Sequence, residues 1–237
     1  MLNLKKIKAI TLDLDDTLWP VWPAIQRAEK ALELWMTEHA PMAAALFANA
    51  SVRDDIRNYV LRTRPHLKHD LSAVRTEAIR VALYRAKENP LLAEAAFGVF
   101  FAERNQVTLY DDALSALKFL SLRFPVVALS NGNADIQQIG LGDYFRASVS
   151  AQSVGVGKPD PRIFHAAAGA AGVNPTEILH IGDDPSMDVL GGLNAGMQTA
   201  WLNRTDTLWI YEQTPHLTVG NLTELCDLLQ SGHSEAI

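Results

Sequence analysis

An apolar run that stops abruptly at three carboxylates sets the terms for this chain. Ile7, Ile10, Leu12 and Leu14 follow a lysine-rich start and suit a buried strand. Asp13, Asp15 and Asp16 then arrive within four residues, so the strand must end there. Alternation along a strand turns Asp13 and Asp15 to one side. Two carboxylates that close cannot both ionise in a dry site without a cation or a shared proton. One reading is a polar strand end with Asp16 or Thr17 capping the next helix. The other is an acidic site for a divalent metal. The motifs downstream must decide.

At 237 residues, 48% hydrophobic and 20% charged, the chain has the make-up of a folded protein with a substantial core. A net charge of −6 argues against general binding to nucleic acid or acidic membranes. Cys226 is the single cysteine, which excludes an intrachain disulfide and a cysteine-rich zinc site and reads as a buried helix thiol. Lys5, Lys6 and Lys8 resemble a signal-peptide start only faintly, since the apolar run after them is short and meets Asp13. No segment approaches the roughly 18 apolar residues of a membrane span. The expectation is a soluble cytoplasmic protein; its oligomeric state is not readable.

Helical patterns fill the segment from about Trp19 to Thr108. Pro23 opens one with Ile25, Ala28, Leu32 and Trp35 on a face. Ser51 with Asp54 forms a weak capping box for a second, stopped by Pro65. Asp70 or Ser72 caps a third, and Pro90 starts a fourth rich in Ala and Phe. These read as an inserted helical domain over 19–108, with residues 1–18 and 109–237 as the core.

From Tyr110 strands and helices alternate. A helix over Asp111–Leu122 leads to a strand Val126–Leu129 ending at Ser130-Asn131-Gly132-Asn133. A short helix around Ile136 precedes a strand Ala147–Ser150 and a Gly/Pro loop, Val154–Pro161. Then come a helix Ile163–Ala171, a strand Ile178–Ile181 ending in Gly182-Asp183-Asp184, and a helix near Val189–Ala195. A strand Thr199–Leu202 and a helix at Leu222–Leu229 close the chain. Such alternation implies an α/β fold with a doubly wound parallel sheet. Asp13/Asp15, Ser130-Asn131 and Asp183/Asp184 each fall just past a strand's C-terminal end, the edge where open parallel sheets bind ligands.

Asp-x-Asp-x-Thr, the Ser-Asn-Gly strand end, Lys158 in Gly-Val-Gly-Lys-Pro, and Gly-Asp-Asp followed by Asp188 occur in that order. The set resembles the haloacid dehalogenase-like hydrolase superfamily, in its phosphatases with a helical cap inserted after the first motif. The resemblance spans essentially the whole chain and implies a Rossmann-like core with strand order 5-4-1-2-3 and a Mg²⁺-dependent aspartyl-phosphate mechanism. It implies that Asp13 is the nucleophile and Asp15 the general acid/base. Mg²⁺ would be held by Asp13, Asp183 and the main-chain carbonyl of Asp15, with Asp184 or Asp188 acting directly or through water. Thr17, Ser130, Asn131, Gly132 and Lys158 would face the phosphate, Lys158 also neutralising Asp13. Taken alone, Asp184 and Asp188 read equally as helix caps, Asn131-Gly132 as a turn and Lys158 as a solvated loop residue.

Other features carry less. Gly157-Lys158 is not a nucleotide P-loop, because Pro159 replaces Ser/Thr and Gln152 the first Gly. His66 and His69 lack a third metal partner, and His180 reads as a hydrogen-bonded core residue. Trp19 and Trp22 read as packing residues, with substrate stacking the minor alternative. Rival functions are a 2-haloacid dehalogenase, which needs no metal and lacks a carboxylate at the Asp15 place, a phosphotransferase, and a phosphate-sensing binding protein. The wording of Ser130–Ala134, Gly140–Phe145 and Glu177–Asp184 resembles bacterial phosphatases of flavin metabolism. That resemblance implies a small phosphorylated metabolite such as flavin mononucleotide or a riboflavin-pathway phosphate, selected by the inserted helices.

Overall fold

The apolar runs become the strands of one parallel sheet. The computed structural model describes residues 2–234. β1 (Ala9–Leu12), β2 (Val126–Ser130), β3 (Ala147–Ser150), β4 (Ile178–Gly182), β5 (Gln198–Leu202) and β6 (Leu217–Val219) lie in the order β3-β2-β1-β4-β5-β6. Every neighbouring pair is parallel. This contains the expected 5-4-1-2-3 order, with β6 added beside β5. β1, β2, β4 and β5 are buried throughout, as strands covered on both faces must be, whereas the edge strands β3 and β6 are only partly buried.

Two compact units divide the chain. One comprises residues 1–20, 108–132 and 136–237; the other comprises 21–107 with 133–135. The first holds the sheet. Its helices are α6 (Ala113–Ser121), α7 (Ala151–Val154), α8 (Pro161–Ala171), α9 (Gly191–Asn194) and α10 (Leu222–Ser234). α8 buries Ile163, Phe164 and Ala167 with Val127, Leu129 and Ile178 of the sheet, and Cys226 lies buried in α10. The segment around Ile136 is a turn and not a helix: the Leu141 N–H closes on the Ile136 carbonyl at 2.8 Å, and Gly140 sits at φ 84°. Gly takes that conformation at no steric cost, and it ends any helical run there.

The second unit is wholly helical: α1 (Val21–His39), α2 (Pro41–Ala48), α3 (Ala50–Thr63), α4 (Leu71–Arg85) and α5 (Leu92–Arg104). Its core gathers Ala28, Leu32 and Met36 of α1 at four-residue spacing with Ile56, Val60, Ile79, Leu83 and Phe100. α2 escapes the sequence reading because it is almost uniformly apolar and shows no stripe. α3 is capped by Asn49, which accepts from Ser51 and Val52 N–H at 3.0 and 3.4 Å, so Ser51 with Asp54 is not its cap. Asp70 caps α4 by accepting from Ala73 N–H at 2.8 Å. Residues 133–135 are held to this unit by two bonds. The Asn133 amide donates to Ser72 Oγ at 3.1 Å, and Asp135 N–H donates to Asn105 Oδ1 at 2.8 Å. No helix of the described residues is long and apolar enough to cross a membrane.

Candidate active site

Strand register levels the ends of β1, β2 and β4. Leu12 pairs with Ala128 on one side and Ile181 on the other. Asp13 therefore leaves β1 beside Gly182, one residue before Asp183, and Ser130 ends β2 nearby in the ladder. After Asp13 the chain turns back sharply. Asp16 adopts φ 59°, a left-handed conformation that Asp tolerates better than most residues, and its N–H bonds to the Trp19 carbonyl at 2.7 Å. Asp16 is thus a turn residue, and helix α1 starts only at Val21. Trp19 is fully buried, and its indole N–H donates to Asp15 Oδ1 at 2.9 Å, so it packs and orients a carboxylate.

Lys158 is buried, contrary to a solvated loop lysine. Its Nζ bonds Asp13 Oδ1 and lies 2.6 Å from Asp188 Oδ1, both carboxylates being buried too. Asn131 fixes this lysine's backbone with a two-bond clamp. It accepts from Lys158 N–H at 2.7 Å and donates to the Lys158 carbonyl at 2.9 Å. The clamp explains Gly157, where a Cβ would lie 2.6 Å from Asn131 Oδ1. Ser130 Oγ accepts from Gly132 N–H at 2.9 Å, which shapes the turn after β2. Thr17, fully buried, donates to Asp183 Oδ1 at 3.2 Å.

Asp184 and Asp188 separate in role. Asp184 Oδ1 accepts from Ser186 N–H and Met187 N–H at 2.7 and 2.8 Å, capping a π-helical turn over Pro185–Leu190. Asp188 is no cap. Its Oδ1 meets Lys158 and, at 3.0 Å, His180 Nε2, while Oδ2 accepts the Asp184 N–H at 3.1 Å. A Cβ at position 182 would collide with that carboxyl group, so the Gly of Gly-Asp-Asp makes room for Asp188. His180 is the hydrogen-bonded core residue its sequence setting suggests. Burial lowers its pKa, against the Asp188 carboxylate that raises it; Nε2 lies 3.0 Å from Asp188 Oδ1 and Nδ1 2.9 Å from Thr11 Oγ1.

Three oxygens, one each from Asp13, Asp183 and Asp188, lie within 4.8 Å of one another. Hard oxygen donors so grouped fit a divalent cation of the magnesium type. Charge supports the fit. Burial, with Asp188 and Asp183 nearby, pushes Asp13 well up, and Lys158 offsets this only in part. Burial together with Asp188 and Asp16 raises Asp183 to about 7. Asp188 feels burial in the same sense, yet Lys158 and His180 outweigh it and hold it well below the usual range. Lys158 stays charged despite burial, because Asp13 and Asp188 pull its pKa above the ordinary value.

Raised Asp183 has a sign that can be checked. Its folded pKa exceeds the unfolded one, so its contribution is fully present below the unfolded value near 4 and is lost as pH rises towards 7. A cation held there would displace the proton and reverse that loss. Mg²⁺ is therefore expected to raise the melting temperature more at pH 8 than at pH 5. At a hundredfold excess over Kd the gain is about 2.7 kcal/mol. Thermal denaturation with and without Mg²⁺ at the two pH values measures it; equal shifts would contradict a cation replacing a proton on Asp183.

Several supports lay outside the sequence reading. Arg204 donates to the Thr17 carbonyl at 3.0 Å and to Asp112 Oδ1 at 2.9 Å, and it lies 4.0 Å over the Tyr110 ring. Asp112 also accepts from Leu222 N–H at 2.6 Å. These residues pin the turn after β1, and their spread along the chain hides them. Thr11 was detectable in principle, as the lone polar residue of β1, placed opposite His180 of β4.

A family model for haloacid dehalogenase-like hydrolases matches residues 7–196, which carry Asp13, Asp15, Thr17, Ser130, Asn131, Lys158, Asp183, Asp184 and Asp188. The chain belongs to the haloacid dehalogenase-like hydrolase family. It is an enzyme on the phosphatase side of this family, a phosphoric monoester hydrolase. Escherichia coli K12 5-amino-6-(5-phospho-D-ribitylamino)uracil phosphatase YigB is 33% identical over 234 residues, covering 95% of this chain and 98% of that protein. The phosphoserine phosphatase of Thermus thermophilus is 36% identical over 157 residues, 64% of this chain and 63% of that one. A crystal structure named 2-haloacid dehalogenase from Pseudomonas syringae pv. Tomato DC3000 superposes with a TM-score of 0.91. It is 36% identical and covers 95% of this chain and 99% of its own.

Proposed function

We propose that this enzyme is a Mg²⁺-dependent phosphomonoesterase that works through an aspartyl phosphate on Asp13. The observation carrying the reading is the meeting of Asp13, Asp183 and Asp188, with buried Lys158 paired to Asp13 and Asp188 and with Asp15 two residues beyond Asp13. A phosphate dianion is repelled by such a carboxylate cluster unless cations offset it. Lys158 supplies one positive charge. Asp13, Asp183 and Asp188 would hold Mg²⁺, with the Asp15 carbonyl or Asp184 completing its surroundings; when bound, the ion neutralises phosphate and carboxylate charge together.

Asp13 has Oδ1 fixed by Lys158, which leaves Oδ2 as the attacking oxygen. Its attack on phosphorus forms the acyl phosphate and breaks the ester P–O bond. Asp15, oriented by the Trp19 indole, gives its proton to the departing alkoxide. Asp15 then takes a proton from water as that water attacks phosphorus, which frees phosphate and regenerates Asp13. Ser130 and N–H groups of the turn after β2 are the donors for phosphate oxygens, whereas Thr17 is buried with its hydroxyl given to Asp183 and positions that carboxylate instead. Asp15→Asn is expected to slow turnover by about 10²–10⁴-fold, with both half-reactions affected. Rapid-quench kinetics with an activated aryl phosphate reads the two steps apart, and wild-type rates would remove Asp15 from the role.

The substrate reading is a small phosphorylated metabolite, with flavin mononucleotide or a riboflavin-pathway phosphate as the leading class, and the helical unit supplies the selectivity. Support comes from the likeness to YigB over nearly the full chain. Trp22 and Tyr84, both strongly exposed, are available for stacking on a flat ring, while buried Trp19 is not. Dehalogenation is a second reading, favoured by the name of the Pseudomonas syringae structure. Asp15 and Asp183 weigh against it, since dehalogenation needs neither metal nor a second carboxylate. One panel tests both: phosphate release from flavin mononucleotide, sugar phosphates and phosphoglycolate with Mg²⁺ or a chelator, beside halide release from 2-chloropropionate. Mg²⁺-dependent phosphate release with the highest kcat/KM for flavin mononucleotide is expected. Metal-independent halide release without phosphatase activity overturns the proposal, and a preference for phosphoglycolate overturns its flavin part alone.

A further inference from the structure

The helical unit holds an open cleft of about 290 Å³ that the chemistry above does not use. Three guanidinium groups line it, Arg53 and Arg57 of α3 and Arg75 of α4, against two carboxylates, Glu29 and Asp54. Glu29 is already taken by Arg75 at 2.6 Å. Arg53 donates to the Phe47 carbonyl, and Arg57 makes no ion pair with a described residue. Arg53 and Arg57 stand four apart, so their like charges share a face of α3, which costs stability in an isolated helix. The lining thus carries a surplus of one positive charge.

The Arg75 guanidinium lies over the buried Phe100 ring, 3.7 Å from its centre, and Phe47 lines both this cleft and a neighbouring one of about 530 Å³. Guanidinium planes stack on flat π systems and match a carboxylate with two parallel hydrogen bonds. We propose that this cleft binds a small planar organic carboxylate. A single negative charge satisfies the surplus, whereas a phosphate dianion would exceed it. The site stands whether or not the core hydrolyses phosphate esters. Asn133 also lines it and is three residues along the chain from Ser130, so an occupant rests on the segment that continues into the turn after β2.

The test is a calorimetric titration of the full chain with 2-naphthoate, its neutral counterpart 2-naphthamide, and 2-naphthoate in excess inorganic phosphate. Saturable one-site binding of 2-naphthoate is expected, at least about tenfold weaker for the amide and for Arg57→Ala. Arg57 is exposed, so the variant should melt as the wild type does, and Arg57→Lys should fall between the two. Inorganic phosphate should leave the binding unchanged. Equal binding of acid and amide, no effect of Arg57→Ala, no saturable binding, or displacement by phosphate each overturns the proposal. Because no turnover is read, an inactive core would not affect the result.

Discussion

Replacing Asp13 by Asn is expected to abolish turnover, by at least about 10⁴-fold in kcat, while leaving the protein folded. The proposed role needs an anionic oxygen to attack phosphorus, and an amide of the same shape has none. Losses on this scale are typical when a covalent nucleophile is removed. The fold should tolerate the change unusually well. Asp13 is buried with Asp183 and Asp188 close by, and burial already pushes its carboxyl towards the neutral form. An uncharged amide relieves that repulsion, at the expense of the Lys158 ion pair. The measurement pairs kcat with urea unfolding and with trapping of labelled phosphate on the protein. Residual activity near wild type, or a labelled phosphoenzyme in Asp13→Asn, would assign the nucleophile elsewhere.

Lys158→Ala should show the opposite balance and lose stability as well as activity. The sequence alone suggests a loop lysine with little to lose, but its ammonium is buried between Asp13 and Asp188. Removing one partner of a buried ion pair leaves the others uncompensated, at a cost of about 3–5 kcal/mol. That cost should shrink at low pH, where Asp13 can take up a proton in place of its lost partner. Lys158→Arg keeps the charge but brings a flat, wider fork into a space shaped for a point charge, so it should retain more stability than activity. Urea unfolding at pH 5 and pH 8, beside kcat for both variants, checks this. An alanine variant as stable as the wild type at pH 8 would contradict the buried pairing.

The fold was legible where one face of an element differs from another. β1, β2, β4 and β5 are short apolar runs ending in polar or Gly-rich turns, and α1, α3, α4 and α5 carry stripes at helical spacing. α2 shows no stripe, β6 is three residues on an edge, and both were invisible for that reason. Around Ile136 a short helix was expected, but residues 133–135 are bonded into the other unit and Gly140 turns the chain. Of the candidate site, the residue types and their strand-end positions could be read, along with the family that carries them. What could not be read was burial. Nothing in Gly-Val-Gly-Lys-Pro says that Lys158 lies inside, because that depends on the Asn131 clamp from 27 residues away in the chain. Asp184 and Asp188, equivalent on paper, diverge because the π-helical turn directs one to its own N–H groups and the other inward.

The level ends of β1, β2 and β4 make strand length itself a determinant of chemistry. Leu12 opposite Ala128 and Ile181 sets the height at which Asp13, Ser130 and Asp183 emerge. A single residue inserted within β4 would advance its end by about 3.3 Å and turn every later side chain to the opposite face. The apolar content of the strand would hardly change, yet Asp13, Asp183 and Asp188 could no longer gather within reach of one another. Length variation in this chain is therefore cheap in the loops far from those ends and prohibitive in the central strands, so a library of single-residue insertions should map the sheet by loss of activity before loss of solubility.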